Sequence, residues 1–122
     1  MPKILLVNDV AIVNKIIKKK LEVEEGFYVD TALSGQEGIS KATQNNYDIF
    51  LLDFYMPDIN GDEVCKAIRE SGKDPNAPIY FISSMDKTSM TDVIQKTGAQ
   101  GHIDMAVDIT ALSAQLRALA KR

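Results

Sequence analysis

Two apolar runs in this chain stop on aspartate. "ILLV" (4–7) leads into Asn8-Asp9, and "DIFLLD" (48–53) ends on Asp53 before the loop "FYMPDING". A carboxylate at the margin of an apolar core is costly to desolvate unless something pairs with it. If the two runs are neighbouring strands, Asp9 and Asp53 converge, and adjoining carboxylates call for a cation or a raised pKa. A few carboxylate oxygens, a carbonyl and water describe a Mg²⁺ site. The loop suits this: Pro57 biases Met56 away from helical angles, and Asn60-Gly61 is a turn signal. Such a loop can aim a backbone carbonyl, that of Tyr55 for example, back toward the cation. On spacing alone a plainer reading stands beside this one, in which Asp9 caps the first helix and Asp53 caps the loop.

These residues need elements to hold them. Besides the two runs, "FYVDTA" (27–32), "PIYFIS" (78–83) and "GHID" (101–104) have the length and composition of strands. Their few polar interruptions predict a parallel sheet buried on both faces. Helical patterns fall between them. Ile12, Ile16, Ile17 and Leu21 are expected to form one apolar face, with Lys15 and the Lys18-Lys19-Lys20 run on a solvated side. Ser34, with Glu37 three residues on, predicts a capping box and a helix to about Asn45. Val64, Ala67 and Ile68 mark a third helix ending near Ser71-Gly72, and Met90, Val93 and Ile94 a fourth closed by Gly98. Ile109, Leu112, Leu116 and Leu119 mark a fifth. Five βα units predict an α/β fold with a doubly wound five-stranded parallel sheet and right-handed crossovers, in a strand order the sequence does not state. In such sheets ligands bind outside the carboxyl ends of the strands, at the switch point. That rule selects Asn8-Asp9, Asp53, Ser83-Ser84 and Asp104-Met105.

The bulk numbers narrow the classes. A length of 122 residues suits one domain, 1–122, and 45% apolar with 25% charged residues is ordinary for a globular protein. A net charge of −3 gives no general attraction to nucleic acid or an anionic membrane, and neither is expected as a direct partner. The one cysteine, Cys65, excludes an internal disulfide and a Cys-based zinc site, and is expected to be structural. The apolar stretches are too short to span a bilayer, and the N-terminus lacks the pattern of a signal peptide, so a cytoplasmic location is expected.

Together, "ILLVNDV", "DIFLLDFYMPDINGDEV", "PIYFISS" and "GAQGHI", in this order and spacing, resemble the receiver domain of two-component response regulators, the CheY-like family with its flavodoxin-like (βα)5 fold. The resemblance covers essentially the whole chain, and the D-x-x-M-P-x-x-x-G loop is its most specific part. It implies that Asp53 is the phosphoacceptor for a histidine kinase or phosphotransfer protein. It further implies that Mg²⁺ is held by Asp9, Asp53 and the Tyr55 carbonyl, with Asn8 acting through water. Ser83 would supply a hydroxyl to the phosphoryl group, and His102 would be a switch residue. A protein target would dock near the fourth helix, fifth strand and fifth helix. No enzymatic activity is implied beyond the domain's own phosphorylation and dephosphorylation.

Two departures stand out. Asn8 occupies the place of a second acid, and Met105 stands where the family has a lysine, usually followed by proline. Methionine cannot pair with phosphate, and without that proline a cis peptide would cost about 3 kcal/mol, so a trans bond is expected. One acid and one lysine lost together leave the site formally as negative as the usual one. Lys87 is a conceivable substitute cation, although a solvated lysine at a helix start is the simpler assignment. Met85, Met90 and Met105 are expected at an interface, as flexible methionines suit adaptable surfaces, with gap-filling in the core, their commoner use, as the alternative. The alternative function is a pseudo-receiver, an interaction module independent of phosphorylation. A flavodoxin-like cofactor binder or a dinucleotide-binding unit would need a glycine-rich phosphate loop, which "VNDVAIVN" lacks. An aspartate-nucleophile hydrolase would carry an acid where Tyr55 stands. With the fifth helix reaching the last residues, either a stand-alone regulator or an excised receiver is expected.

Overall fold

The five apolar runs form β1 (Lys3–Val7), β2 (Tyr28–Ala32), β3 (Ile49–Asp53), β4 (Ile79–Ser83) and β5 (Gly101–Asp104), each within a residue of its expected limits. Between them lie α1 (Ala11–Glu25), α2 (Gly35–Gln44), α3 (Gly61–Ser71) and α4 (Lys87–Thr97). The structure, a computed structural model, describes residues 2–71, 76–83, 87–104, 114 and 116, and of Ser83, Lys87 and Asp104 the backbone only. The expectations for Met85, Met105, the 105–106 peptide bond and most of the fifth helix lie outside these residues. Of that helix, Ala114 and Leu116 are described and helical.

All strand pairs are parallel, in the order β2-β1-β3-β4-β5. Winding reverses between β1 and β3, which makes their carboxyl ends the switch point. The register pairs Val7 with Leu52 and Asp53 with Ile82. Alternation along each strand divides the core in two. Leu5, Val7, Phe50, Leu52, Ile79 and Phe81 face α2, α3 and α4. Ile4, Leu6, Val29, Ile49, Leu51 and Ile103 face Ile17 and Leu21 of α1, and Leu116. Both faces are covered, which is why the strands read as continuous apolar runs.

Three expectations need correction. Ile12, Ile16, Ile17 and Leu21 do not share a face: Ile17 is 1% exposed and Leu21 fully buried, whereas Ile12 and Ile16 are 62% and 54% exposed. At about 100° per residue, Ile12 and Ile16 lie on nearly the opposite side of the helix from Ile17 and Leu21. The buried arc instead takes in Asn14. Lys18 is not simply solvated. It donates to the Val29 carbonyl (2.5 Å) and pairs with Glu22, while Lys41 donates to the Thr31 carbonyl (2.5 Å). The outward backbone of the edge strand β2 is thereby occupied, which blunts it as a template for another strand. Met90 is 1% exposed, a core residue and not part of an interface. The structural role expected of Cys65 agrees with its full burial and its thiol contact with the Thr97 carbonyl.

Candidate functional site

The site begins where β1 and β3 end. Past Val7, Asn8 is 5% exposed; its amide donates to the Ala32 carbonyl of β2 (3.0 Å), and its carbonyl accepts from Asn14 Nδ2 (2.9 Å). Asn14 thus ties the β1 exit to α1 from within the core. Its Oδ1 has no hydrogen-bond partner among the described residues. The sequence carried one signal for this role, a polar residue three and seven positions before Ile17 and Leu21. Asp9 follows, half-buried. It does not cap α1: the residue at the cap is Val10, and no side chain bonds the helix amides there. The carboxylate is therefore not used in holding the helix, contrary to the plainer reading.

Asp53 ends β3, half-buried between neighbouring strands. Burial pushes its carboxyl up to about 6 from an ordinary 3.8, and the negative charge of Asp9 pushes in the same direction. The backbone amides of Phe54 and Tyr55 pull the other way without reversing the shift. Burial and the charge of Asp9 thus act together on Asp53, which the parallel pairing of β1 with β3 sets beside the β1 exit. Such a pair disfavours two negative charges and favours a divalent cation. Among the described residues no group of three or more His, Cys, Asp or Glu gathers to hold a metal, so the oxygen donors on hand are two carboxylates and main-chain carbonyls.

The loop after Asp53 is held from both sides. Met56 turns into the core beneath α3, and Phe54 packs edge-on against Phe81 of β4 (6.1 Å). Tyr55 points outward, 63% exposed, with its ring set edge-on to Phe54 (4.9 Å). Gly61 closes the loop by donating to the Phe54 carbonyl (2.6 Å). A Cβ at Gly61 would stand 2.3 Å from the Asp53 carbonyl oxygen. The turn signal of Asn60-Gly61 thus has a more specific cause: no positive φ is needed at Gly61, only the absence of a side chain against the backbone of Asp53. Asp58, which sequence reasoning passed over, accepts from the amides of Gly35 (3.1 Å) and Gln36 (2.9 Å) at the start of α2. The Gln36 amide foremost, with that of Gly35, holds the Asp58 carboxyl below its ordinary value.

The remaining candidates sit farther along the same sheet edge. The backbone of Ser83 ends β4 opposite that of Asp104, one residue beyond the Ile82 that pairs with Asp53. Its hydroxyl, like the Lys87 ammonium, lies outside the described atoms. On β5, half-buried His102 pairs with Phe81 of β4. Met105, expected at the family's lysine position, lies outside the described residues.

Known proteins share this fold. The model of the response regulator receiver domain matches residues 4–117. The response regulator ArlR of Staphylococcus saprophyticus is 36% identical over 122 residues, which are all of this chain and 54% of that protein. ArlR of Staphylococcus aureus is 34% identical over the same span. The chain spans about half the length of these relatives. Among solved structures, the chemotaxis protein CheY4 of Vibrio cholerae superposes with a TM-score of 0.90 at 25% identity, covering 98% of each chain. The response regulator TrrA of Thermotoga maritima, solved in complex with Mg²⁺-BeF, gives 0.85 at 29% identity, covering 98% of this chain and 99% of that one. Nothing in these likenesses favours an interaction module that works without phosphorylation. No helix among the described residues is long and apolar enough to cross a membrane.

Proposed function

The chain belongs to the receiver domains of two-component response regulators, and from that premise we propose that Asp53 is its phosphoacceptor and that Mg²⁺ is its cofactor. Receiver domains are signalling modules that work with histidine kinases or phosphotransfer proteins. The observation that carries the reading is the position of Asp53 at the switch point, half-buried, with Asp9 raising its carboxyl. A carboxylate pair in that state lacks only a positive charge. The donors that would hold Mg²⁺ are Asp9, Asp53 and the Tyr55 carbonyl, with Asn8 acting through water; two carboxylates and a carbonyl fit a hard, oxygen-seeking cation. When bound, Mg²⁺ supplies positive charge where phosphoryl and carboxylate oxygens crowd together.

The chain's own part is positioning. An Asp53 oxygen forms the new O–P bond as the P–N bond of the partner's phosphohistidine breaks, and the electron pair of that bond leaves with the imidazole nitrogen. The amides of Phe54 and Tyr55 favour the charged form of the Asp53 carboxylate. Ser83 offers a hydroxyl to the transferred group. Met105 offers no charge, so phosphoryl binding leans more heavily on the cation and on Ser83 than in a lysine-bearing site. His102 and the surface near α4, β5 and the C-terminal helical segment would carry the change to a protein target. As with other receiver domains, the product is a signal, and the only chemistry catalysed is the domain's own phosphorylation and dephosphorylation.

The test is intact-mass spectrometry after incubation with acetyl phosphate, with and without Mg²⁺, beside an Asp53→Asn variant. A single phosphoryl adduct that needs both Mg²⁺ and Asp53 is expected. No adduct from folded protein in Mg²⁺ would overturn the proposal.

A further inference from the structure

Asp58 makes a contact that the phosphoryl chemistry does not explain. An exposed residue of the β3–α3 loop, it spends both carboxylate oxygens on the backbone of a separate helix, Oδ1 on the Gly35 amide (3.1 Å) and Oδ2 on the Gln36 amide (2.9 Å). The next two amides of α2 are taken locally: Ser34 Oγ accepts from Glu37 (3.1 Å), and the Ser34 carbonyl accepts from Gly38 (3.0 Å). Of the donors that a helix start leaves unpaired, those of Gly35, Gln36 and Glu37 are therefore filled, two of them by the loop that follows Asp53, and the Gly38 bond is the first of the helix itself. The adjacent residue reinforces the contact. Ile59 lies so close over Gly35 that a Cβ there would stand 2.3 Å from Ile59 Cγ1. The opening residue of α2 is thus a notch that fits the loop, and Asp58 closes over it.

The far end of the loop is fixed by Gly61, through its bond to the Phe54 carbonyl and its seat against the Asp53 carbonyl. Between that base at Asp53 and Gly61 and the clamp at Asp58 run Phe54, Tyr55, Met56 and Pro57. An ordinary cap from Ser34 alone would serve α2 without constraining this segment. A carboxylate reaching across 22 and 23 residues of sequence constrains both.

We propose that Asp58 is a positioning residue, fastening the loop from Asp53 to Gly61 onto the start of α2 so that the Asp53 carboxylate and the Tyr55 carbonyl keep the arrangement the site uses. Its consequence for Mg²⁺ rests on the function proposed above; the fastening itself is a property of the metal-free protein.

Both can be measured on the full chain with Asp58→Ala, Asp58→Asn and Ser34→Ala. Ser34→Ala removes a bond at the same helix end but none to the loop. In metal-free buffer, Asp58→Ala should speed hydrogen exchange at the Gly61 amide at least about tenfold, while Ser34→Ala leaves it within about twofold. Asp58→Asn, which keeps one acceptor oxygen, should fall between. Calorimetric Mg²⁺ affinity should drop about tenfold in Asp58→Ala and hold in Ser34→Ala. Unchanged exchange in both Asp58 variants would overturn the fastening, as would equal acceleration in Ser34→Ala. A loosened loop with undiminished Mg²⁺ affinity would overturn the positioning role. Wild-type protein that bound no Mg²⁺ would instead refute the metal assignment, and the exchange data would then decide the fastening alone.

Discussion

Asp53→Asn should make the metal-free protein more stable at neutral pH, although it removes the proposed phosphoacceptor. The Asp53 carboxyl is raised from 3.8 to about 6, first by burial and then by Asp9. A rise of that size corresponds to about 3 kcal/mol held against the charged form. Asp53 is only half-buried, and solvent screening reduces this to about 1–2 kcal/mol. The sign follows from proton counting. Between the unfolded value and about 6 the native state binds the proton that the unfolded chain has lost, so stability falls as pH rises through that window. The penalty is complete above pH 6 or so and absent below the unfolded value. Asparagine is nearly isosteric and does not titrate. Urea unfolding followed by circular dichroism, with a chelator present, should therefore show the variant more stable by about 1–2 kcal/mol at pH 7.5 and nearly equal to wild type at pH 4. Mg²⁺ should then stabilise the wild type selectively, by mass action on its native state. A variant no more stable than wild type at pH 7.5, or a gap that ignores pH, would refute the electrostatic reasoning.

Further expectations follow from packing. Gly61→Ala places a methyl group 2.3 Å from the Asp53 carbonyl oxygen, so it should cost about 1–3 kcal/mol in chemical denaturation and weaken acetyl phosphate labelling of Asp53 at the same time. Ile17→Ala should cost about 2–5 kcal/mol, while Ile16→Ala one residue earlier stays within about 0.5 kcal/mol, a contrast that denaturation midpoints would test directly. Ser34→Ala should lower stability by about 1 kcal/mol through loss of the Glu37 amide bond, measurable in the same assay.

Local chemistry made several elements legible from the chain alone. The strands showed themselves because both faces of the sheet are buried, so "ILLV" and "IFLL" carry no polar alternation to confuse them. Ser34 and Glu37 announced the start of α2, and Ser34 bonds the Glu37 amide as a capping box requires. The returning half is shifted, however: Glu37 Oε1 accepts from Leu33, one residue before the expected partner. The acids at strand ends were legible as well, because a carboxylate that closes an apolar run needs a reason to be there.

What the sequence by itself determined is therefore the alternation of strands and helices, the acids at the strand ends and the loop that follows Asp53, all consequences of local composition and spacing. Tertiary structure decided the rest. Strand order, which makes Asp9 and Asp53 neighbours, depends on packing between segments more than forty residues apart. The same holds for the inner and outer faces of α1, where isoleucines on opposite sides are alike in composition and only contact with the sheet tells them apart. Asn14 and Asp58 had no local pattern strong enough to reveal them, and for Gly61 the turn signal marked the place but not the cause. Each acts on backbone groups outside its own element, and where those groups lie is settled only when the chain has folded.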